Sequence, residues 1–182
     1  MAGWNGIWRG FYRDPRSLRT ADADDPTPHD FPIEAHFAVS GDHLTGTMTD
    51  LQPVKEFPYE ILFERTKATL RPRDRAIGKI VIERYPGTIV RSELPPESDL
   101  DGRVRGREAT WMKTYRGDQV TTSLIPGRPP HETRAGGVGI LYRGTLSEDG
   151  QTLKGTWEVR KKRFLGIYST LEGRGEFELR RA

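Results

Sequence analysis

Apolar and polar positions along the chain alternate with a period of two, and glycine recurs between large aromatics on one face. Near the start the pattern is Trp8-x-Gly10-x-Tyr12; near the end it is Tyr142-x-Gly144 and then Gly155-x-Trp157. A period of two belongs to β-strands. Glycine between rings on one face lets a strand coil sharply while neighbouring rings cover the gap, a device of curved and closed sheets. Strands are predicted over 5–13, 31–39, 44–51, 59–70, 77–85, 103–115, 120–125, 138–146, 152–160, 164–170 and 173–180. In the second of these Ile33, Ala35, Phe37 and Val39 share one face, with Glu34 and His36 on the other. Ser40-Gly41-Asp42 and Glu148-Asp149-Gly150 are hairpin turns. Three stretches, 14–30, 86–102 and 126–137, are expected to be irregular, the first of them a candidate lid over one mouth. No long segment shows helical periodicity. The expected fold is all-β: a single antiparallel up-and-down barrel of about eight to ten strands, spanning residues 1–182.

Composition narrows the picture without supplying chemistry. The hydrophobic fraction is 34% and the mean hydropathy −0.70, low values that a barrel tolerates because only half of each strand faces inward. The chain has no cysteine, which excludes disulfides and thiolate metal sites. No apolar stretch is long enough to span a bilayer, and Trp4 and Asn5 break a signal-peptide pattern, so a cytoplasmic protein is expected. Basic clusters occur at Arg71 to Arg75, Arg103 to Arg107 and Arg160 to Arg163, but acidic residues are interleaved and the net charge is only +3. A well-mixed, solvated exterior is expected, with neither a nucleic-acid nor a membrane partner.

The candidate chemistry lies on the inward face. Trp8, Tyr12, Trp111, Lys113, Tyr115, Tyr142, Trp157 and Phe177 share the inward parity, which would line an interior cavity with rings, hydroxyls and one cation. That set suits a small hydrophobic or amphipathic ligand, planar and with an anionic end held by Lys113. In the alternative, the rings fill a small barrel and Lys113 leaves through an open mouth or pairs with a carboxylate, since a buried unpaired lysine carries a heavy desolvation cost. A catalytic partner for Lys113 is not legible. The histidines are His29, His36, His43 and His131; only His29 and His131, with Asp24 or Glu132, could meet at one mouth, and no metal site is expected. Gly136-Gly137-x-Gly139 runs into a strand, which argues against a dinucleotide fingerprint.

The N-terminal Gly6-x-Trp8-x-Gly10-x-Tyr12 resembles the first-strand signature of the calycin-like barrels: lipocalins, fatty-acid-binding proteins, avidins and nitrobindins. Leu44-Thr45-Gly46-Thr47 is similar to the early hairpin of avidins. Trp111-x-Lys113-x-Tyr115, Tyr142-x-Gly144-x-Leu146, Leu153-x-Gly155-x-Trp157 and Gly175-x-Phe177-x-Leu179 resemble lipocalin-like bacterial proteins. The resemblance implies a ligand-binding barrel but no particular ligand or cofactor. No histidine follows His131, so the haem ligand of nitrobindins has no counterpart, and the biotin contacts of avidins are not all found. Two other function classes stay open. One is a barrel enzyme, an isomerase or hydrolase acting on a small acid, which needs a strongly shifted lysine or tyrosine facing a second polar group. The other is an interaction module with a solid interior, in which outward Ile7, Phe11 and Leu62 meet a second copy to form a homo-oligomer.

Overall fold

The structure, a computed structural model, describes residues 3–13, 30–58, 61–69, 77–85, 87, 89–136, 139–163 and 168–182. Every regular element among them is a strand: β1 (Gly6–Arg13), β2 (Asp30–Ser40), β3 (His43–Asp50), β4 (Val54–Pro58), β5 (Ile61–Thr69), β6 (Ile77–Tyr85), β7 (Ile89–Glu93), β8 (Glu97–Arg105), β9 (Glu108–Tyr115), β10 (Asp118–Leu124), β11 (His131–Gly136), β12 (Gly139–Leu146), β13 (Thr152–Arg163) and β14 (Tyr168–Arg181). Eight of them close an antiparallel barrel in the order β1-β14-β13-β12-β9-β8-β3-β2. All-β architecture and barrel closure follow the sequence pattern. No helix of the described residues is long and apolar enough to cross a membrane, a statement that does not bear on strands.

The two ends of the barrel differ. At one end short hairpins join β2 to β3, β8 to β9 and β12 to β13. There the indole of Trp4 lies across the opening. It donates to the Gly106 carbonyl at 3.2 Å, while the Trp8 indole donates to the Trp4 carbonyl at 3.0 Å. Below this plug sit Leu44, Leu146, Leu153 and Leu179, all fully buried. At the opposite end, the mouth, the described chain leaves the barrel from β3, β8, β9 and β12.

Four adjacent barrel strands continue past the mouth. The barrel order β3-β8-β9-β12 becomes β4-β7-β10-β11 in a separate four-stranded sheet, each new strand directly preceding or following its barrel counterpart in the chain. Backbone bonds stitch the junction: Asp50 N to Pro96 O, Leu94 N to Pro53 O and Arg116 N to Glu97 O, at 2.8–3.1 Å. Pro53, Pro95 and Pro96 stand at these breaks, where a missing N–H interrupts the ladder and lets the strands turn out of the barrel. β5 and β6 form a separate two-stranded ribbon.

Several boundaries depart from the sequence reading. The stretch 86–102 was expected to be irregular but carries β7 and most of β8, a barrel strand; its prolines mark the junction and do not end the sheet. The single strand expected over 103–115 is the end of β8, a turn at Gly106 and Arg107, and β9. The loop 126–137 contains β11, exposed along its whole length and so without any alternation to read. The candidate lid over 14–29 lies outside the described residues, as do His29, Asp24 and the Arg71 to Arg75 cluster.

Glycine among the rings has the expected use. A Cβ on Gly10 would overlap the Glu178 carbonyl oxygen, and one on Gly175 would overlap the Arg13 carbonyl and press on the Trp157 indole. Both positions let β1, β14 and β13 approach closely around a tight bend, with rings filling the space.

Candidate functional site

All eight inward-parity residues, Trp8, Tyr12, Trp111, Lys113, Tyr115, Tyr142, Trp157 and Phe177, are buried. The β9 set is clearest: burial alternates strictly along Glu108–Tyr115. In the deep half the rings fill space against one another. Trp111 stacks on Tyr142 at 5.4 Å between centroids and meets Phe37 and Phe177 edge-on at 5.4 and 5.6 Å; Trp8 lies 6.3 Å from Phe37. Such tilted and offset pairs are the favoured aromatic geometries.

The mouth half is chemically different. Lys113 is fully buried, and its Nζ donates to Asp50 Oδ2 at 2.5 Å and to Tyr115 Oη at 3.1 Å. Asp50 is the last residue of β3, at the junction with the outer sheet, and is itself 3% exposed. Its second oxygen, Oδ1, is buried with no hydrogen-bond partner, and so is the indole nitrogen of Trp111. Ser98, just past the Pro95-Pro96 break, donates to the Met48 carbonyl at 2.7 Å and ties β8 to β3 beside the ion pair. Tyr12 closes this half against Phe31 at 5.2 Å and Trp157 at 5.9 Å.

Electrostatics at the mouth follow from burial. Removal from water pulls the Lys113 ammonium below the ordinary lysine range, with the adjacent Asp50 carboxylate working against that shift. Burial raises the Tyr115 phenol far above its usual range, and the negative charge of Asp50 raises it further. Tyr142 is raised by the same two causes in the same order. Both phenols are therefore held in the neutral, protonated form. Of the alternatives the sequence leaves open for Lys113, the structure shows the carboxylate pair, with Asp50, and not exit through an open mouth. Asp50 shares parity with Leu44 and Met48, so alternation along β3 was the signal that could have found it.

Outside, the interleaved charges form ion pairs: Arg9 with Glu34 at 2.6 Å, Arg116 with Asp99 and Glu97 at 2.6 and 2.9 Å, Lys154 and Arg180 with Glu178 at 2.9 and 3.0 Å. His36 points outward onto Glu34, as its parity predicts. His43 on β3 is exposed, and so are His131 and Glu132 on β11. Among the described residues no three potential metal-binding side chains converge. Arg103 and Arg107 face Asp42 and Glu148 at 3.8 and 3.2 Å; the side chains of Arg160 to Arg163 and Leu62 lie outside the description. Ile7 is exposed, whereas Phe11 is half-covered beneath the Arg13 guanidinium at 5.3 Å. A cleft of about 550 Å³ runs along the outside of β1, β14 and β13 at the mouth, between Arg13, Arg174 and Glu176, with Trp157 and Gly175 in its lining.

No family model, curated protein or solved structure matches this chain.

Proposed function

We propose that this is a small-molecule-binding barrel of calycin-like type whose site is the mouth half of the interior. The observation that carries the reading is a buried, incompletely matched polar cluster in an otherwise apolar barrel: Asp50, Lys113 and Tyr115, with Asp50 Oδ1 unpartnered. Buried polar groups cost stability unless matched, so an unmatched carboxylate oxygen at an elaborated mouth marks a place where another molecule completes the bonding. Tyr12 and Trp157 supply the apolar walls, and the deeper Trp8, Trp111 and Tyr142 form the floor. The enzyme reading loses support, because the tyrosines are shifted toward neutral donors and Lys113 is held in an ion pair.

Native mass spectrometry of the protein as purified, compared with the denatured chain, tests this. The expected result is a reproducible added mass that is lost on unfolding and absent from a folded variant with Asp50 and Lys113 replaced together. A clean native mass, unchanged after incubation with a small-molecule extract, defeats the reading.

A second reading is favoured by a different observation. Leu51, Val54, Ile89 and Leu124 are exposed apolar side chains gathered on the outer sheet and its junction. Register puts Leu124 opposite Ile89 and Val54 opposite Glu93, so Val54, Ile89 and Leu124 share one face. That face is suited to contact with another protein or a second copy. The same native spectrum reports any oligomer.

A further inference from the structure

Resting on the interior-binding reading, we infer that the ligand is electrically neutral at its polar end and presents an N–H or O–H donor to Asp50 Oδ1. The charge balance of the mouth decides the class. Lys113 and Asp50 form one ion pair at 2.5 Å with both side chains buried, and Tyr115 adds a neutral phenol, so the cluster carries no net charge. An anionic end would have to displace or face Asp50 in a site shielded from water, where repulsion is weakly screened. A cationic end would meet Lys113 on the same terms. A neutral donor meets neither penalty and supplies what the site lacks, a hydrogen for Oδ1. The remaining wall is aromatic: Tyr12, Phe31 and Trp157 lie in contact around the mouth, and Trp111 stacks on Tyr142 beneath. A planar apolar body with a hydroxyl, amide or ring N–H at one end fits that arrangement. The sequence alone had suggested an anionic end held by Lys113; the ion pair with Asp50 removes the reason for it.

Four probes with one body separate these classes: naphthol, methoxynaphthalene, naphthoate and naphthylmethylammonium, titrated calorimetrically into the full chain at neutral pH. Naphthol is expected to bind about tenfold more tightly than its methyl ether, the effect of one hydrogen bond to a charged acceptor. Both ions should bind more weakly than naphthol. A double variant, Asp50→Leu with Lys113→Met, keeps the interior neutral and should bind naphthol and its ether alike. Tightest binding by either ion overturns the inference. So does equal binding of naphthol and its ether to the unaltered protein, which would mean that water satisfies Oδ1; the interior reading itself then stands. If none of the four binds, the as-purified mass decides. A co-purified neutral molecule with an N–H or O–H supports the inference, and a charged or donor-free one overturns it. A clean mass defeats the interior reading and this inference with it.

Discussion

The closed end and the mouth are built from the same eight strands and solve opposite problems. The closed end is made of short hairpin turns and an indole plug, with leucines beneath. Its indole nitrogens are matched by the Gly106 and Trp4 carbonyls. The mouth carries the junction with the outer sheet, a buried ion pair, and an acceptor left without a donor. One end shows how little is needed to seal a barrel; the other keeps polar groups out of water at a cost to stability. That contrast is the basis on which the mouth is proposed as the binding end.

The largest expected effect breaks the mouth electrostatically. Lys113→Met alone leaves Asp50 charged and buried, and should cost about 3–5 kcal/mol in urea unfolding. The double variant with Asp50→Leu should recover most of that loss. If the single and double variants are equally stable, the mouth is wetter than its burial indicates and the contrast fails.

At the closed end Leu146→Ala should cost about 2–5 kcal/mol, because its surroundings are packed on all sides. Unlike the mouth variants it should leave any bound mass in the native spectrum unchanged in identity. Loss of the ligand on this substitution, in a protein still folded, would place the site deeper than the mouth.

Gly175→Ala tests the bend beside Trp157. The added methyl meets the Arg13 carbonyl and the indole, and strain of about 1–3 kcal/mol is expected as a lower Tm. A neutral result would show that β14 can relax away from β1 without disturbing the barrel.

The smallest effect is on acid stability. The guanidinium of Arg116 holds the Asp99 carboxyl below its usual range, Arg9 does the same for Glu34, and Lys154 for Glu178. A carboxyl that is more acidic in the fold takes up its proton first in the unfolded chain. Its contribution is therefore full above the ordinary carboxylate range and is lost as pH falls through the lower folded values. These groups are exposed, so the slope should be shallow and should flatten further in high salt. A steep loss insensitive to salt would show that these exposed pairs are not what acid breaks.

Legibility followed the physics of alternation. Trp111, Lys113 and Tyr115 could be assigned to the interior because β9 is buried on one face and exposed on the other along its whole length. Asp50 shares that kind of parity with Met48, but a charged residue at a strand end reads as the start of a turn. The hairpin at Gly106 left a trace too: Val104 and Ala109 both face inward although their numbers differ in parity, which only an intervening turn permits. The outer sheet was harder to see. Its strands are short, β11 is exposed on both faces, and prolines at the junctions imitate loop punctuation. Pairing of β4, β7, β10 and β11 in the same order as the barrel strands they continue is a property of the assembled barrel and has no local signal.

Closure of the barrel pairs β1 with β14, placing Trp8 opposite Arg181. The first and last strands of the chain are thus neighbours, and β13 and β1 each keep an open edge until β14 arrives. During synthesis the barrel therefore cannot close before β14 has left the ribosome. Until then two unsatisfied strand edges stay available for mispairing. Closing so long a loop is entropically costly and late, which makes folding of this protein slow relative to its size. A chain truncated before Gly173 should accumulate as aggregate and not as a smaller folded species.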